Sequence, residues 1–462
     1  MKVQGRIHFV GIGGHGMSSI AKVLLEMGFV VSGSDVSDSP RLRALGALGA
    51  RVQVGHSASS VEGAGLVVVS AAVPRDNVEV SHARKLDIPT VTRAEMLAEL
   101  MNDRFGIAVT GTHGKTTTSS MVATVLIAGG LDPTAILGEE VDTVSGGGRH
   151  GKSEFVVAEA DEAYGSFLEL WPKIAVVTNI DDDHLDYYGS PDAITGAFLS
   201  FLLHLPENGL AVLAADDARV MSVEKEVRCR KTLYGITSGE LVAERPAISG
   251  RGYGFDVVLR GTRLGRLELA VPGRHNISNA LASVAVGMEL GVPFEVMRRA
   301  LSVFKGARRR SEVLGEVGGI LVMDDYAHHP TEIKTTLTAL KETTGRRIIA
   351  VFQPQRFTRT KLLFDEFARA FLAADVVVIT EIFHQGTGED PIPGVSGEKL
   401  ARAVEAYQDR QVTFIADLGD IAPWLLSIAQ PGDLVVTMGA GNINTVAQEL
   451  VQRMRDDWEA QT

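Results

Sequence analysis

The chain holds a single cysteine, Cys229, among 462 residues. An intramolecular disulfide and a cysteine-rich metal site are both excluded, and a reducing compartment fits. An excess of positive charge is missing too: 45 Lys+Arg against 57 Asp+Glu give a formal net charge of −12. That argues against a general nucleic-acid binder, which needs a basic footprint. No apolar run reaches membrane-span length, and Met1 to Val10 lacks the parts of a secretory signal. Short-period repeats and long low-complexity tracts are lacking as well. The expectation is a soluble cytoplasmic protein with no nucleic-acid or membrane partner. A hydrophobic content of 45% and a charged content of 22% are ordinary for a globular protein. The length exceeds what one core supports, so two or three domains are expected.

What is present centres on Ile107-Ala108-Val109-Thr110 followed by Gly111-Thr112-His113-Gly114-Lys115-Thr116-Thr117. An apolar strand, a glycine-bounded loop and a helix start form a phosphate cradle, where backbone N–H groups and the helix dipole face an anion. Gly111 and Gly114 allow close backbone approach. Lys115 can reach the outer phosphates, and the Thr116 hydroxyl can bind Mg²⁺. Val109 stands where the usual spacing has its first glycine, so this is a shortened P-loop.

Upstream, Ile7-His8-Phe9-Val10 runs into Gly11-Ile12-Gly13-Gly14-His15-Gly16-Met17-Ser18, a G-x-G-x-x-G turn opening a helix. A second strand ends in Asp35, where a dinucleotide fold holds a ribose, and the buried strand from Leu66 runs into Ser70. A nicotinamide cofactor and a UDP-sugar both carry a diphosphate and a ribose, and the motif alone does not choose. This domain closes near Met101.

Downstream, Phe155-Val156-Val157-Ala158 ends in Glu159-Ala160-Asp161-Glu162, and Ile174 to Ile180 ends in Asp181-Asp182-Asp183-His184. In a parallel sheet these strand ends share an edge with the P-loop. Carboxylates beside a triphosphate imply a cation, so Mg²⁺ is expected, with Glu159 and His184 as contacts. Some of these acids, Asp182 and Asp183 first, read equally as caps and solvated charges. Between the two regions, Val141 to Lys152 reads as a mobile glycine-rich stretch, and Leu241 to Ala270 as antiparallel strands. Asn276 and Asn279, one turn apart on a helix, can read an adenine edge or simply close the helix start. Lys305 to Arg310 is a basic run, either a solvated face or a phosphate contact. Strands ending near Asp325, Gln353, Glu381 and Gly439 make a further Rossmann-like sheet with Asp, His and Arg at its strand ends.

These motifs, Gly-Thr-His-Gly-Lys-Thr-Thr, Glu-Ala-Asp-Glu, Thr-Asn-Ile-Asp-x-Asp-His, Gly-Arg-His-Asn-x-x-Asn, Arg-Arg-x-Glu and Asp-Asp-Tyr-x-His-His-Pro, resemble the Mur ligases, in that order over essentially the whole chain. Gly-Ile-Gly-Gly-x-Gly-Met-Ser, Phe-Gln-Pro-x-Arg-Phe-Thr-Arg-Thr, Pro-Ile-Pro-Gly and Gly-Ala-Gly-Asn-Ile resemble the branch that takes L-alanine. The resemblance implies an α/β fold of three domains. Residues 1–101 would be a Rossmann-like UDP-substrate domain, and 102–305 a P-loop ATPase-type domain with added antiparallel strands. Residues 306–462 would be a Rossmann-like domain that binds the amino acid and closes over ATP.

The implied reaction is ATP-driven amide formation between UDP-N-acetylmuramate and L-alanine through an acyl phosphate, in peptidoglycan precursor synthesis. Carried over residue by residue, Lys115 stabilises the moving phosphate, and Thr116, Glu159 and His184 serve the metal. Gly111, Thr112, His113, Gly114, Thr116 and Thr117 hold the phosphates, Asn276 and Asn279 contact adenine, and Arg310 and Asp325 bind nucleotide from the third domain. Gly13, Gly14, His15, Gly16, Met17 and Ser18 hold the UDP diphosphate, with Asp35 and Ser70 beside them. His328, Arg356 and Arg359 face the substrate and the amino acid. The chain has Ala163-Tyr164, Ser311 and Gln355 where this branch has Ser-Asp, an aromatic and a histidine. Some sister ligases use a carbamylated lysine soon after the His184 motif; no lysine lies between His184 and Lys225. The alternatives are a sister ligase that attaches a recycled tripeptide to the same UDP-sugar and, more remotely, a non-catalytic nucleotide-binding scaffold.

Overall fold

The computed structural model describes residues 5–384 and 389–461; residues 1–4, part of the N-terminal reading above, lie outside them. The described residues form two compact units. One holds the chain up to Ala247 with Gly254–Leu269 and Asn276–Ala307; the other holds Ile248–Tyr253, Ala270–His275 and the chain from Arg308 onward.

The first unit contains two sheets. The first is built from β1 (Arg6–Val10), β2 (Val31–Asp35), β3 (Arg51–Val54), β4 (Ala64–Val69) and β5 (Thr90–Thr92) in the order β3-β2-β1-β4-β5, all parallel. Short apolar strands separated by helices cannot pair any other way without long return loops. Side chains alternate between two cores. Ile7, Phe9, Leu66 and Val68 enter one, and Val10 and Val67 the other. The strand order reverses at β1, and the glycine loop after Val10 emerges at that switch point.

The second sheet has ten strands: β6 (Phe105–Thr110), β7 (Thr134–Ile136), β8 (Gly148–Arg149), β9 (Phe155–Glu159), β10 (Ile174–Val177), β11 (Leu210–Ala214), β12 (Arg230–Gly235), β13 (Leu241–Ser249), β14 (Gly252–Leu259) and β15 (Thr262–Leu269). Their order is β15-β14-β13-β12-β11-β10-β6-β9-β7-β8. The P-loop strand β6 therefore lies between β9 and β10 and is parallel to both. Two-residue turns join β13 to β14 and β14 to β15, as the expected antiparallel strands require. In the second of these turns both Arg260 and Gly261 have positive φ.

The stretch Val141–Lys152 departs from the expectation of a mobile loop. It contains β8, buries Val144 and Gly147, and packs on the helix His15–Glu26 of the first sheet. A Cβ on Gly148 would lie 3.0 Å from the Ser19 carbonyl carbon, so the glycine serves close packing here.

The second unit carries β16 (Glu312–Val317), β17 (Ile320–Asp325), β18 (Arg347–Phe352), β19 (Val376–Ile379), β20 (Val412–Phe414) and β21 (Asp433–Met438), in the order β16-β17-β21-β18-β19-β20. The β16–β17 pair is antiparallel and the other pairs are parallel. Leu321, Met323, Ile348 and Phe352 enter one core, and Val322, Ile349 and Val351 the opposite one. Among the described residues no helix is long and apolar enough to cross a membrane.

Candidate active site

The three chemistry-bearing loops of the second sheet meet because β9, β6 and β10 are neighbours and end on one edge. Gly114, at φ +80°, caps the helix Lys115–Ala128 in a left-handed conformation. Gly111 has φ +129°, and a Cβ there would sit 3.0 Å from the Asn179 N and O atoms and closer still to the Thr178 hydroxyl. The loop after β10 thus braces the P-loop. Thr178 Oγ1 donates to the His113 carbonyl at 2.6 Å, and Asn179 accepts from the His113 N–H at 2.9 Å. The Asp181 N–H donates to Thr112 Oγ1 at 2.8 Å, and the His113 ring lies 3.0 Å from the Asp181 carboxylate. Thr116 and Thr117 are buried in the first turn of the helix.

Lys115 is held from both sides. Its ammonium donates to the Gly111 and Thr112 carbonyls at 2.8 and 3.1 Å and to Glu162 at 2.8 Å. Burial alone would lower its pKa, but the carboxylates of Glu162, Asp161 and Glu159 outweigh burial and raise it, so the charge stays. Glu162 is pushed up to about 7 by its own burial, against the pull of Lys115.

Glu159 accepts from the Thr116 hydroxyl at 2.8 Å and the Gly138 N–H at 3.1 Å. Thr116 and Glu159 are thus brought together. His184, the third expected contact, has φ +54° and groups with Asp161 and Glu162, all three ligand atoms lying within 4.8 Å of one another. The carboxylate oxygens suit a hard divalent cation, for which an imidazole is an unusual partner. Asn276 and Asn279 are both buried and bonded to each other at 2.9 Å; Asn279 Oδ1 would lie 2.9 Å from a Cβ on Gly114, directly against the cradle.

On the first sheet, the Gly13 N–H donates to Asp35 at 2.8 Å, so Asp35 secures the glycine loop itself. Gly14 caps the helix that begins at His15; Met17 is buried, and Ser18 Oγ donates to the His15 carbonyl at 2.9 Å. Ser70 lies beside Gly11, its Cβ 3.1 Å from where a Cβ on Gly11 would be. A Cβ on Gly16 would sit 2.8 Å from the Arg93 guanidinium, and Arg93 also pairs with Asp161 at 3.1 Å. Arg93 therefore spans from the first glycine loop to the acids beside the P-loop.

In the second unit, Asp325 accepts from the Ser311 N–H and hydroxyl at 2.7 and 3.0 Å and from the Ala327 N–H at 2.8 Å. Burial pushes its pKa up to about 6, although Arg310 and these hydrogen bonds oppose the rise. Arg310 lies over the Tyr326 ring at 5.0 Å and 3.7 Å from Glu332. His328 is bonded to the Tyr326 carbonyl at 2.9 Å and paired with Glu332 at 3.3 Å. Arg356 pairs with Glu389 at 3.6 Å, and Arg359 donates to the Gln355 carbonyl at 3.1 Å.

Sequence reasoning missed Glu162, Arg93, Thr178 and Asn179 as members of the site. Glu162 and the Thr178-Asn179 pair lie inside quoted motifs, and their roles could have been sought there. Nothing local marks Arg93, whose partners are 77 positions upstream at Gly16 and 68 downstream at Asp161.

Three family models match in succession: the Mur ligase family catalytic domain over residues 6–105, the Mur ligase middle domain over 109–287, and the Mur ligase glutamate ligase domain over 309–441. The chain is 48% identical to a UDP-N-acetylmuramate--L-alanine ligase of Geotalea daltonii over 452 residues, covering 98% of each. It is 46% identical to the ligase of the same name from Geobacter sulfurreducens, covering 98% of this chain and 99% of that one. The crystal structure of a UDP-N-acetylmuramate-alanine ligase from Thermotoga maritima matches with a TM-score of 0.84 at 31% identity, covering 98% of this chain and 100% of that one. A murein peptide ligase from Psychrobacter arcticus matches with a TM-score of 0.73 at 26% identity, covering 98% and 99%. With sheet order, P-loop edge and sequence in agreement over nearly every residue, the chain belongs to the Mur ligase family.

Proposed function

We propose that this ATP-dependent ligase joins L-alanine to the carboxylate of UDP-N-acetylmuramate, in peptidoglycan precursor synthesis. The observation that carries the reading is the edge where the loop after β6 presents Lys115 between two acid-bearing neighbours. Ligases of that name, near-equal in length to this chain, supply the substrates. Residues 1–101 are assigned to the UDP-substrate, 102–305 to ATP, and 306–462 to the amino acid and to closure over ATP.

The muramoyl carboxylate attacks the γ-phosphorus and ADP departs, leaving an acyl phosphate. The L-alanine amine then attacks the acyl carbon, loses a proton, and phosphate leaves. Phosphoryl transfer of this kind needs positioning and charge neutralisation more than a side-chain nucleophile. Lys115 leaves Glu162 for the outer phosphates. The N–H groups of Gly111 to Thr117 cradle them. Asn276 and Asn279 take the adenine, and Arg310 and Asp325 meet the nucleotide from the third domain. Gly13 to Ser18 seat the diphosphate, with Asp35 and Ser70 beside them as further substrate contacts; His328, Arg356 and Arg359 face the muramoyl group and the amino acid. Thr116, Glu159 and His184 would hold Mg²⁺, which supplies neutralisation of phosphate charge. ATP and a UDP-sugar are nucleotides of the cytoplasm, and we place the enzyme there.

The test is phosphate release from MgATP with UDP-N-acetylmuramate and, in turn, L-alanine, glycine, L-serine or tripeptide. Release that requires UDP-N-acetylmuramate together with L-alanine, and that Lys115→Ala abolishes, supports the reading. Dependence on tripeptide would replace it with the recycling ligase. No release with any pair would leave a nucleotide-binding scaffold.

A further inference from the structure

The seam between the two sheets of the first unit holds a buried carboxylate that the reaction above does not use. Glu139, 9% exposed, follows β7 and turns back toward the first sheet's glycine loop. Its Oε1 lies 2.7 Å from His15 Nε2, and its Oε2 lies 3.8 Å from the Arg41 guanidinium, which itself rests against the His15 ring. His15 occupies the open x of the Gly-Ile-Gly-Gly-x-Gly-Met-Ser loop. The seam around it is tied by Ser19 Oγ donating to the Leu137 carbonyl at 3.1 Å and by the His150 N–H donating to Glu26 at 2.7 Å. The residue before Glu139 is Gly138, whose N–H donates to Glu159.

We propose that Glu139 is a positioning residue for the UDP-substrate: from the second sheet it seats His15 and Arg41 so that both side chains stand ready at the diphosphate loop. The proposal rests on the reading of Gly13 to Ser18 as that loop. An arginine loses rotamer entropy when it is ordered, and ordering it beforehand removes that cost from binding. The Arg41 guanidinium offsets the Glu139 carboxylate, so seating the pair adds no net negative charge beside the loop. A carboxylate shared by both side chains also sets their mutual spacing, which a neutral side chain cannot do with equal strength. Because the same turn of backbone holds Glu159 through Gly138, the first sheet's loop and the P-loop edge keep a common reference point.

The experiment compares wild type, Glu139→Ala, Glu139→Gln, His15→Ala and the Glu139→Ala/His15→Ala double variant. Each is measured for KM of all three substrates, kcat, thermal midpoint, and direct calorimetric binding of UDP-N-acetylmuramate. Glu139→Ala is expected to raise KM and the dissociation constant for UDP-N-acetylmuramate about tenfold. The KM values for ATP and L-alanine stay unchanged, kcat stays within about threefold, and Glu139→Gln lies between. In the His15→Ala background the loss from Glu139→Ala should shrink to about threefold or less, because part of its target is gone. An unchanged or tighter UDP-N-acetylmuramate affinity overturns the proposal, the second outcome making Glu139 a competitor of the diphosphate. A uniform rise in all three KM values with a lowered thermal midpoint overturns it too, leaving a packing role. If wild type releases no phosphate with L-alanine, the proposed function fails, while the binding comparison still decides this one. Asp142→Ala, on the exposed side of the same stretch and paired with Lys305, is the control expected to change nothing.

Discussion

The Lys115 ammonium lies 2.8 Å from the carboxylate of Glu162, a side chain only 1% exposed. Each neutralises the other in a place where neither is stable alone. Glu162→Gln removes one partner and leaves a buried cation, so stability falls by about 3 kcal/mol in urea denaturation. Adding MgATP recovers part of that loss, because phosphate oxygens replace the carboxylate. Equal losses with and without MgATP would show that Lys115 does not transfer to the nucleotide.

Gly111 allows a test of the cradle that leaves every charge in place. With φ +129° and Thr178 and Asn179 where a Cβ would go, Gly111→Ala forces the loop after β6 away from its brace. ATP binding weakens by at least about tenfold, while the secondary structure by circular dichroism stays intact. Normal ATP affinity would mean that the loop tolerates the shift.

Acid stability is set in part far from the P-loop. Glu79, fully buried under the first sheet, accepts from Ser34, from the Ser57 N–H at 3.1 Å and from Gln53 at 3.3 Å, with His8 and His56 at 3.5 and 3.1 Å. Burial alone would raise its pKa; His8, Ser34 and Ser57 outweigh it and lower it from 4.5 to about 2. A depressed carboxyl pKa adds stability that is whole above the unfolded value and lost as pH falls through the folded one. Wild type should lose about 3 kcal/mol between pH 5 and pH 2 from this group. Glu79→Gln should be weaker at pH 7 and flatter in urea titrations across that window.

Asp325 runs in the opposite direction. Its folded pKa of about 6 stands above its unfolded 3.8, so its contribution is present below pH 3.8 and lost as pH rises through 6. Asp325→Asn should flatten the stability of the second unit between pH 4 and pH 7. An unaltered pH profile in differential scanning calorimetry would place its titration elsewhere.

Much of the architecture was legible in the residues. Apolar runs of four to six ending in glycine, acid or arginine marked the parallel strands and the edge where the P-loop, Glu159 and His184 gather. The local rules failed where tertiary contact decides. Val141–Lys152 reads as loose because glycine carries two messages, freedom and close packing, and only the helix His15–Glu26 against it tells which applies. Asp35 reads as a ribose ligand by position, and the added fact that one of its oxygens accepts from the Gly13 N–H comes only from the fold. Glu139 and Arg93 carry no local signature, since their partners lie more than 60 positions away.

The place of β6 in the ten-strand order has an evolutionary consequence. Four strands (β12 to β15) lie beyond β11 on one flank, and the short β7 and β8 beyond β9 on the other, so the reacting edge is insulated from both rims. Rims fray, pair wrongly and accept insertions. Lengthening this sheet outward can therefore diversify a ligase without retuning the spacing between its lysine and its acids.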